Sequence, residues 1–179
     1  GEGTVVNNSK LPAIQNNGSL TIDGGTYISK GTGAVIYNVG NATINAGMFT
    51  TESDDDSNAL VVNCSDNIIG LTINGGTFRS RNKPVLLNIG FTEINAEGSE
   101  FTNESGALIA NGYDSSIKHP CSGWVNIYKG TFRAGKDGKG ILFGQVGTEN
   151  GGQVGLFYGN FSGKIIKMNY TIGGSGIFN

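Results

Sequence analysis

One eight-residue phrase recurs along the chain: Leu20 to Tyr27 (LTIDGGTY), Ala42 to Phe49 (ATINAGMF) and Leu71 to Phe78 (LTINGGTF). Weaker copies run from Thr92 to Phe101, Val125 to Phe132 and Val154 to Phe161. Supersecondary units repeated in this way fix the architecture of the whole chain, because one such unit cannot bury its own apolar side. The closing aromatics Tyr27, Phe49, Phe78, Phe101, Phe132 and Phe161 are spaced by 22, 29, 23, 31 and 29 residues. A second signature lies upstream of each phrase, a short apolar run ending in Asn16, Asn38, Asn63, Asn88 and Asn111, with steps of 22, 25, 25 and 23. Ile141 to Gln145 and Ile165 to Asn169 continue that series. The basic unit is therefore some 22 to 25 residues long, with insertions in some copies.

Each unit reads as three short strands: the apolar run, the Leu-Thr-Ile run and the Gly-Thr-Phe-Arg-Ser run. β-Branched and aromatic residues alternate with polar ones, as a half-buried strand requires. Gly, 31 of 179 residues, punctuates the corners, whereas Pro occurs only 3 times. No 3.6-residue period persists. Stacked units would place Ile22, Ile44, Ile73, Ile94, Ile127 and Leu156 in one internal column and the aromatics in a second. The Asn residues would form a ladder at a corner, each amide bonded to the next.

With these columns the chain resembles the right-handed parallel β-helix, the pectate-lyase-like superfold, and its repeats resemble those of long bacterial surface and secreted proteins. The resemblance implies an all-β fold: a right-handed parallel β-helix (β-solenoid) with three short strands per coil and about six to seven coils. Residues 1–179 read as a single domain, a segment of a longer protein, since the chain opens in mid-pattern at Gly1-Glu2-Gly3 without a leader. The last repeat lacks a polar cap, which predicts either further coils or end-to-end self-association. The superfold hosts lyases, hydrolases, adhesins and viral fibres alike, so it does not name an activity.

A net charge of −2 gives no electrostatic case for a nucleic-acid partner. No apolar run approaches the roughly 18 residues of a membrane-spanning helix. Cys64 and Cys121 lie in two inserted loops that leave the same corner two units apart; they are either a disulfide of a secreted protein or two separate thiols, with Cys64 in register with Val39 and Ile89. Without CxxC spacing they do not suggest zinc.

The regular positions carry the fold, so binding is sought where the repeat is interrupted and on the outward columns. The longest insertion, Gly112 to Trp124, holds His119, Tyr113 and the sole Trp. Trp124 beside Tyr113 could stack on a sugar, since an aromatic face packs on pyranose C–H groups; the alternative is that Trp124 only closes the loop. His119, alone and followed by Pro120, reads as a loop residue. Asp54, Asp55 and Asp56 could supply oxygen ligands to Ca²⁺, although their spacing matches neither the EF-hand loop nor the Gly-Gly-x-Gly-x-Asp repeat of calcium-binding β-rolls. The run Arg79 to Lys83 lies at the same corner one unit later, and would set Arg79, Arg81 and Lys83 against the acidic loop as a surface charge network. Arg79 and Arg133 would face outward two units apart with Glu100 between them, a row able to grip the carboxylate of an acidic sugar or merely to pair across strands. The outward column Thr21, Thr43, Thr72, Glu93, Asn126, Gly155 begins as a threonine ladder and then fails, which argues against an ice-binding face.

No pair of carboxylates with glycosidase spacing is evident, and no cofactor is implied. The sequence therefore reads as a non-enzymatic extracellular or cell-surface module of a bacterium, of adhesin type or contacting a polysaccharide or host glycan. A polysaccharide lyase or glycoside hydrolase fragment, and a phage or host-recognition fibre, are the alternatives.

Overall fold

The computed structural model describes residues 2–54, 58–65, 67, 68, 70–111, 123–136, 140–143, 153–156, 160–162, 172, 173, 177 and 178. They form an all-β structure, with no helix among them, in two sheets of eleven and six strands. Every strand pairing is parallel. Neither sheet closes into a barrel.

The chain alternates between the sheets, and each repeat adds to both. The smaller sheet takes the apolar runs, in spatial order Ile14–Asn16, Ile36–Asn38, Val61–Asn63, Leu86–Asn88, Ala107–Asn111 and Gly140–Phe143. The larger sheet takes the recurring phrases. Spatial order thus follows sequence order within each sheet, and a residue is paired with its counterpart one repeat away: Ile22 with Ile44, Ile44 with Ile73, Ile73 with Ile94, Ile94 with Ile127.

The expectation of three short strands per unit needs correction. In four repeats the second and third runs are one continuous strand: Ser19–Ser29, Asn41–Thr51, Phe91–Asn103 and Trp124–Ala134. Leu71–Ile73 and Thr77–Ser80 remain separate, as do Gln153–Leu156 and Asn160–Ser162. A positive-φ glycine marks the bend of each continuous strand: Gly25, Gly47 and Gly130 two residues before the aromatic, and Gly98 three residues before Phe101. At Gly47, with φ of 132°, the backbone turns and the ladder shifts register by a bulge; at Gly76, with φ of 120°, the strand is interrupted. A Cβ on Gly76 would sit 3.0 Å from the Gly47 carbonyl oxygen and 3.1 Å from Phe78 Cε2, so both conformation and space require glycine.

The core lies between the two sheets. Ile36, Val61, Leu86 and Ile109 of the smaller sheet pack against Ile44, Ile73, Ile94 and Ile127 of the larger. Beside them runs an unbroken aromatic stack. Tyr27, Phe49, Phe78, Phe101, Phe132 and Phe161 follow one another at centroid distances of 4.8, 4.8, 4.7, 4.6 and 5.2 Å, with planes within 15° of parallel. That spacing is the inter-strand spacing of a sheet, so each ring fills the gap its strand position dictates. The Ile column ends at Leu156, whose side chain lies outside the described residues.

The Asn ladder forms. Asn16 Nδ2 donates to Asn38 Oδ1 (2.7 Å), Asn38 to Asn63 (2.9 Å), Asn63 to Asn88 (2.9 Å) and Asn88 to Asn111 (2.8 Å). All five side chains are buried, and the same amides hold backbone carbonyls of the facing sheet, Gly70 O from Asn38 and Phe91 O from Asn63 among them. Among the described residues no buried side-chain nitrogen or oxygen lacks a partner. A second polar column, Asn7, Ser29, Thr51, Ser80 and Asn103, lines the other end of the larger sheet. The sequence reading missed it because its members differ in type; only the register aligns them.

Candidate functional site

Outward side chains of the larger sheet form columns dictated by alternation and register. One column holds Ile28, Thr50, Arg79, Thr102 and Arg133; the next, two residues back along each strand, holds Thr26, Met48, Thr77, Glu100 and Thr131. Arg79 and Arg133 are two strands apart with Thr102 between them, and both lean toward Glu100. Arg79 Nη2 lies 3.4 Å from Glu100 Oε2, and Arg133 Nε lies 3.3 Å from Oε1. Two guanidiniums thus share one carboxylate, which leaves the group one positive charge in excess. Each guanidinium has further N–H donors beyond the nitrogen that meets Glu100, and both side chains are more than half exposed.

A separate group occupies the start of the same two strands. Phe91 and Trp124 are paired in register, with ring centroids 5.7 Å apart and planes tilted by 47°. Trp124 is 44% exposed, and its Nε1–H donates to Asn126 Oδ1 at 3.0 Å. Two residues along, Glu93 and Asn126 form the next outward pair, with Thr72 on the far side of Glu93. Among the described residues the Glu93 carboxylate has neither an ion-pair nor a hydrogen-bond partner. The backbone beneath is fixed by the ladder: Asn63 Nδ2 donates to Phe91 O (3.0 Å) and Asn88 Nδ2 to Trp124 O (3.2 Å). Tyr113, the aromatic expected beside Trp124, lies outside the described residues, as does His119. Phe91 carries no repeat signature and escaped notice; its place one strand before Trp124 is the signal that could have found it.

At the acidic corner Asp54 pairs with Arg81 at 3.1 Å, and Arg81 also meets Glu104 at 3.5 Å. Asp55 and Asp56 lie outside the described residues. Among the described residues no three His, Cys, Asp or Glu side chains converge as a metal site would require. The surface network expected around Arg79 to Lys83 is corrected in one respect. Lys83 is fully buried, and its ammonium donates to the backbone oxygens of Gly31 (2.7 Å) and Gly33 (3.4 Å), two repeats earlier. Its long stem lets it reach inward, where carbonyls solvate the charge in place of water.

Cys64 is buried, in a satellite cluster with Ala34, Ala59, Val62 and Ile89 on the outer side of the smaller sheet, away from the main core. Cys121 lies outside the described residues. Tyr37 packs on this cluster and hydrogen-bonds to Cys64; burial, then that bond and the charge of the thiolate, push the phenol up to about 12. At the bend of the strand Phe91–Asn103, Lys129 pairs with Glu97, and this hydrogen bond and charge hold the Glu97 carboxyl below its usual range.

Comparison with protein-family models, with curated proteins and with solved structures yields no match to this chain.

Proposed function

We propose that the chain is a segment of a right-handed parallel β-helix that serves, outside the cell, as a non-enzymatic glycan-contacting module of adhesin type. The strand alternation supports the helical reading, because each repeat leaves a sheet and returns to it one strand further on. Handedness follows from the strong preference of parallel strand–crossover–strand connections for the right-handed path. The Arg79–Glu100–Arg133 group carries the binding reading. Its excess positive charge and remaining guanidinium donors suit a carboxylated or sulfated sugar, which an Arg fork recognises in a bidentate manner. Glu100 holds both guanidiniums in place before a ligand arrives, and that lowers the ordering cost of binding.

A glycan array carrying acidic and neutral oligosaccharides tests this reading. Retention of an acidic glycan, weakened about tenfold by Arg79→Ala or Arg133→Ala, is the expected result. Depolymerisation of an acidic polysaccharide would make the protein a lyase or hydrolase and overturn the non-enzymatic assignment. Binding that ignores both arginines would move the site elsewhere.

A further inference from the structure

We infer that the outward group Phe91, Glu93, Trp124 and Asn126 binds a protonated amino sugar. The inference rests on the glycan-contacting reading and adds to it a second subsite of opposite charge preference.

Size comes first. Phe91 and Trp124 are neighbours across a strand pair, and Glu93 and Asn126 are the next outward neighbours along it. Strand spacing of about 4.8 Å and a two-residue advance of about 6.6 Å set these four side chains at the corners of a patch the size of one pyranose ring. Chemistry comes next. The half-exposed indole offers an apolar face to the C–H side of a sugar, and its negative quadrupole attracts a cation. Glu93 supplies a full negative charge at the adjacent corner. Among the described residues no cation pairs with it: its outward partners in register are Thr72 and Asn126, and Lys129 is engaged by Glu97. Asn126 accepts the indole N–H through Oδ1, which fixes the ring and leaves the Nδ2 donors for a ligand. A neutral sugar would gain only stacking and the amide, and an anionic sugar would be repelled by Glu93. A ring bearing an ammonium gains stacking, the ion pair and the cation–π attraction together.

The platform is also rigid. The carbonyls of Phe91 and Trp124 are held by the buried amides of Asn63 and Asn88, and the backbone N–H of Trp124 donates to Gly90 O at 2.8 Å. Little conformational freedom remains to be lost on binding.

Trp124 is the sole tryptophan, so its emission reports on this site alone. The full chain is titrated with glucosamine oligosaccharides at about pH 6, where a sugar amine is protonated, and with their N-acetylated and unsubstituted glucose counterparts. Saturable change in Trp124 emission with the amine form, about tenfold tighter than with either counterpart, is expected. Glu93→Gln should remove that preference while leaving the far-ultraviolet circular dichroism unchanged, and Phe91→Ala should weaken binding of all three. Arg81→Ala, outside both sites, should leave the titration unaltered. Equal affinity for the amine and acetylated forms, amine binding without a Trp124 response, or no amine binding would each overturn the inference. Capture of acidic glycans through Arg79 and Arg133 is measured independently, so failure here leaves that reading standing or falling on its own array result.

Discussion

Asn63 and Asn88 stand 25 residues apart in sequence, yet Asn63 Nδ2 donates to Asn88 Oδ1 at 2.9 Å in the interior. Asn63 also reaches Phe91 O and Thr92 Oγ1, both at 3.0 Å, and accepts from Asn38 at 2.9 Å. Asn63→Ala would leave several buried groups without partners at about 1–3 kcal/mol each. We expect a loss of roughly 3 kcal/mol or more in urea denaturation. Asn63→Asp should cost at least as much at neutral pH, since a carboxylate cannot donate to Asn88 Oδ1. A loss under about 1 kcal/mol for both would show that the ladder contributes little.

Two glycines separate conformational strain from steric exclusion. Gly76 combines a φ of 120° with close contacts to Gly47 O and Phe78, whereas Gly98 at φ 74° has nothing within 4 Å of a hypothetical Cβ. Gly98→Ala should cost about 1 kcal/mol, the ordinary left-handed penalty. Gly76→Ala adds the collision and should cost about 2–4 kcal/mol. Thermal denaturation of the two variants side by side checks the order.

Lys83 is fully buried with its ammonium on Gly31 O and Gly33 O. Lys83→Ala removes these donors and the packed stem together, so a loss of about 2–4 kcal/mol is expected. The exposed Arg81→Ala, which breaks contacts to Asp54 and Glu104, should cost under about 1 kcal/mol and less in high salt. Similar losses for the two would contradict the burial of Lys83.

Tyr37 should ionise well above an ordinary phenol, its pKa raised to about 12. The native state keeps this proton where the unfolded chain has already released it. The associated stability is present below about pH 10, the ordinary phenol value, and falls as pH rises from there toward 12. Tyr37→Phe should flatten that alkaline decline. Phenolate absorbance followed through the titration checks the shift, and a normal phenol curve would contradict it.

The columns of Ile, Phe and Asn were readable in the sequence because a fixed side chain recurs at near-constant spacing, and stacking then dictates contact. Strand number per repeat was not readable: whether Gly47 ends a strand or bends it depends on backbone hydrogen bonds to the next repeat. Lys83 was misread because charge in a loop ordinarily means exposure, and only the third dimension shows two carbonyls within its reach. The Phe91–Trp124 pair was half legible, since Trp124 drew attention as the sole tryptophan while Phe91 did not. The distances from Arg79 and Arg133 to Glu100 required coordinates, although their columns followed from counting alternate residues.

The asparagine ladder has a direction. From Asn16 to Asn111 every amide nitrogen points toward the later repeat and every amide oxygen toward the earlier one. Asn16 turns its oxygen back to the Gly18 N–H at 3.1 Å. The molecule is therefore polar along its stacking axis, with donors leading and acceptors trailing. Any repeat or second chain that extends the ladder must add in the same sense. Such joining is heterologous: it yields open-ended growth or a defined order of segments, never a closed two-fold pair.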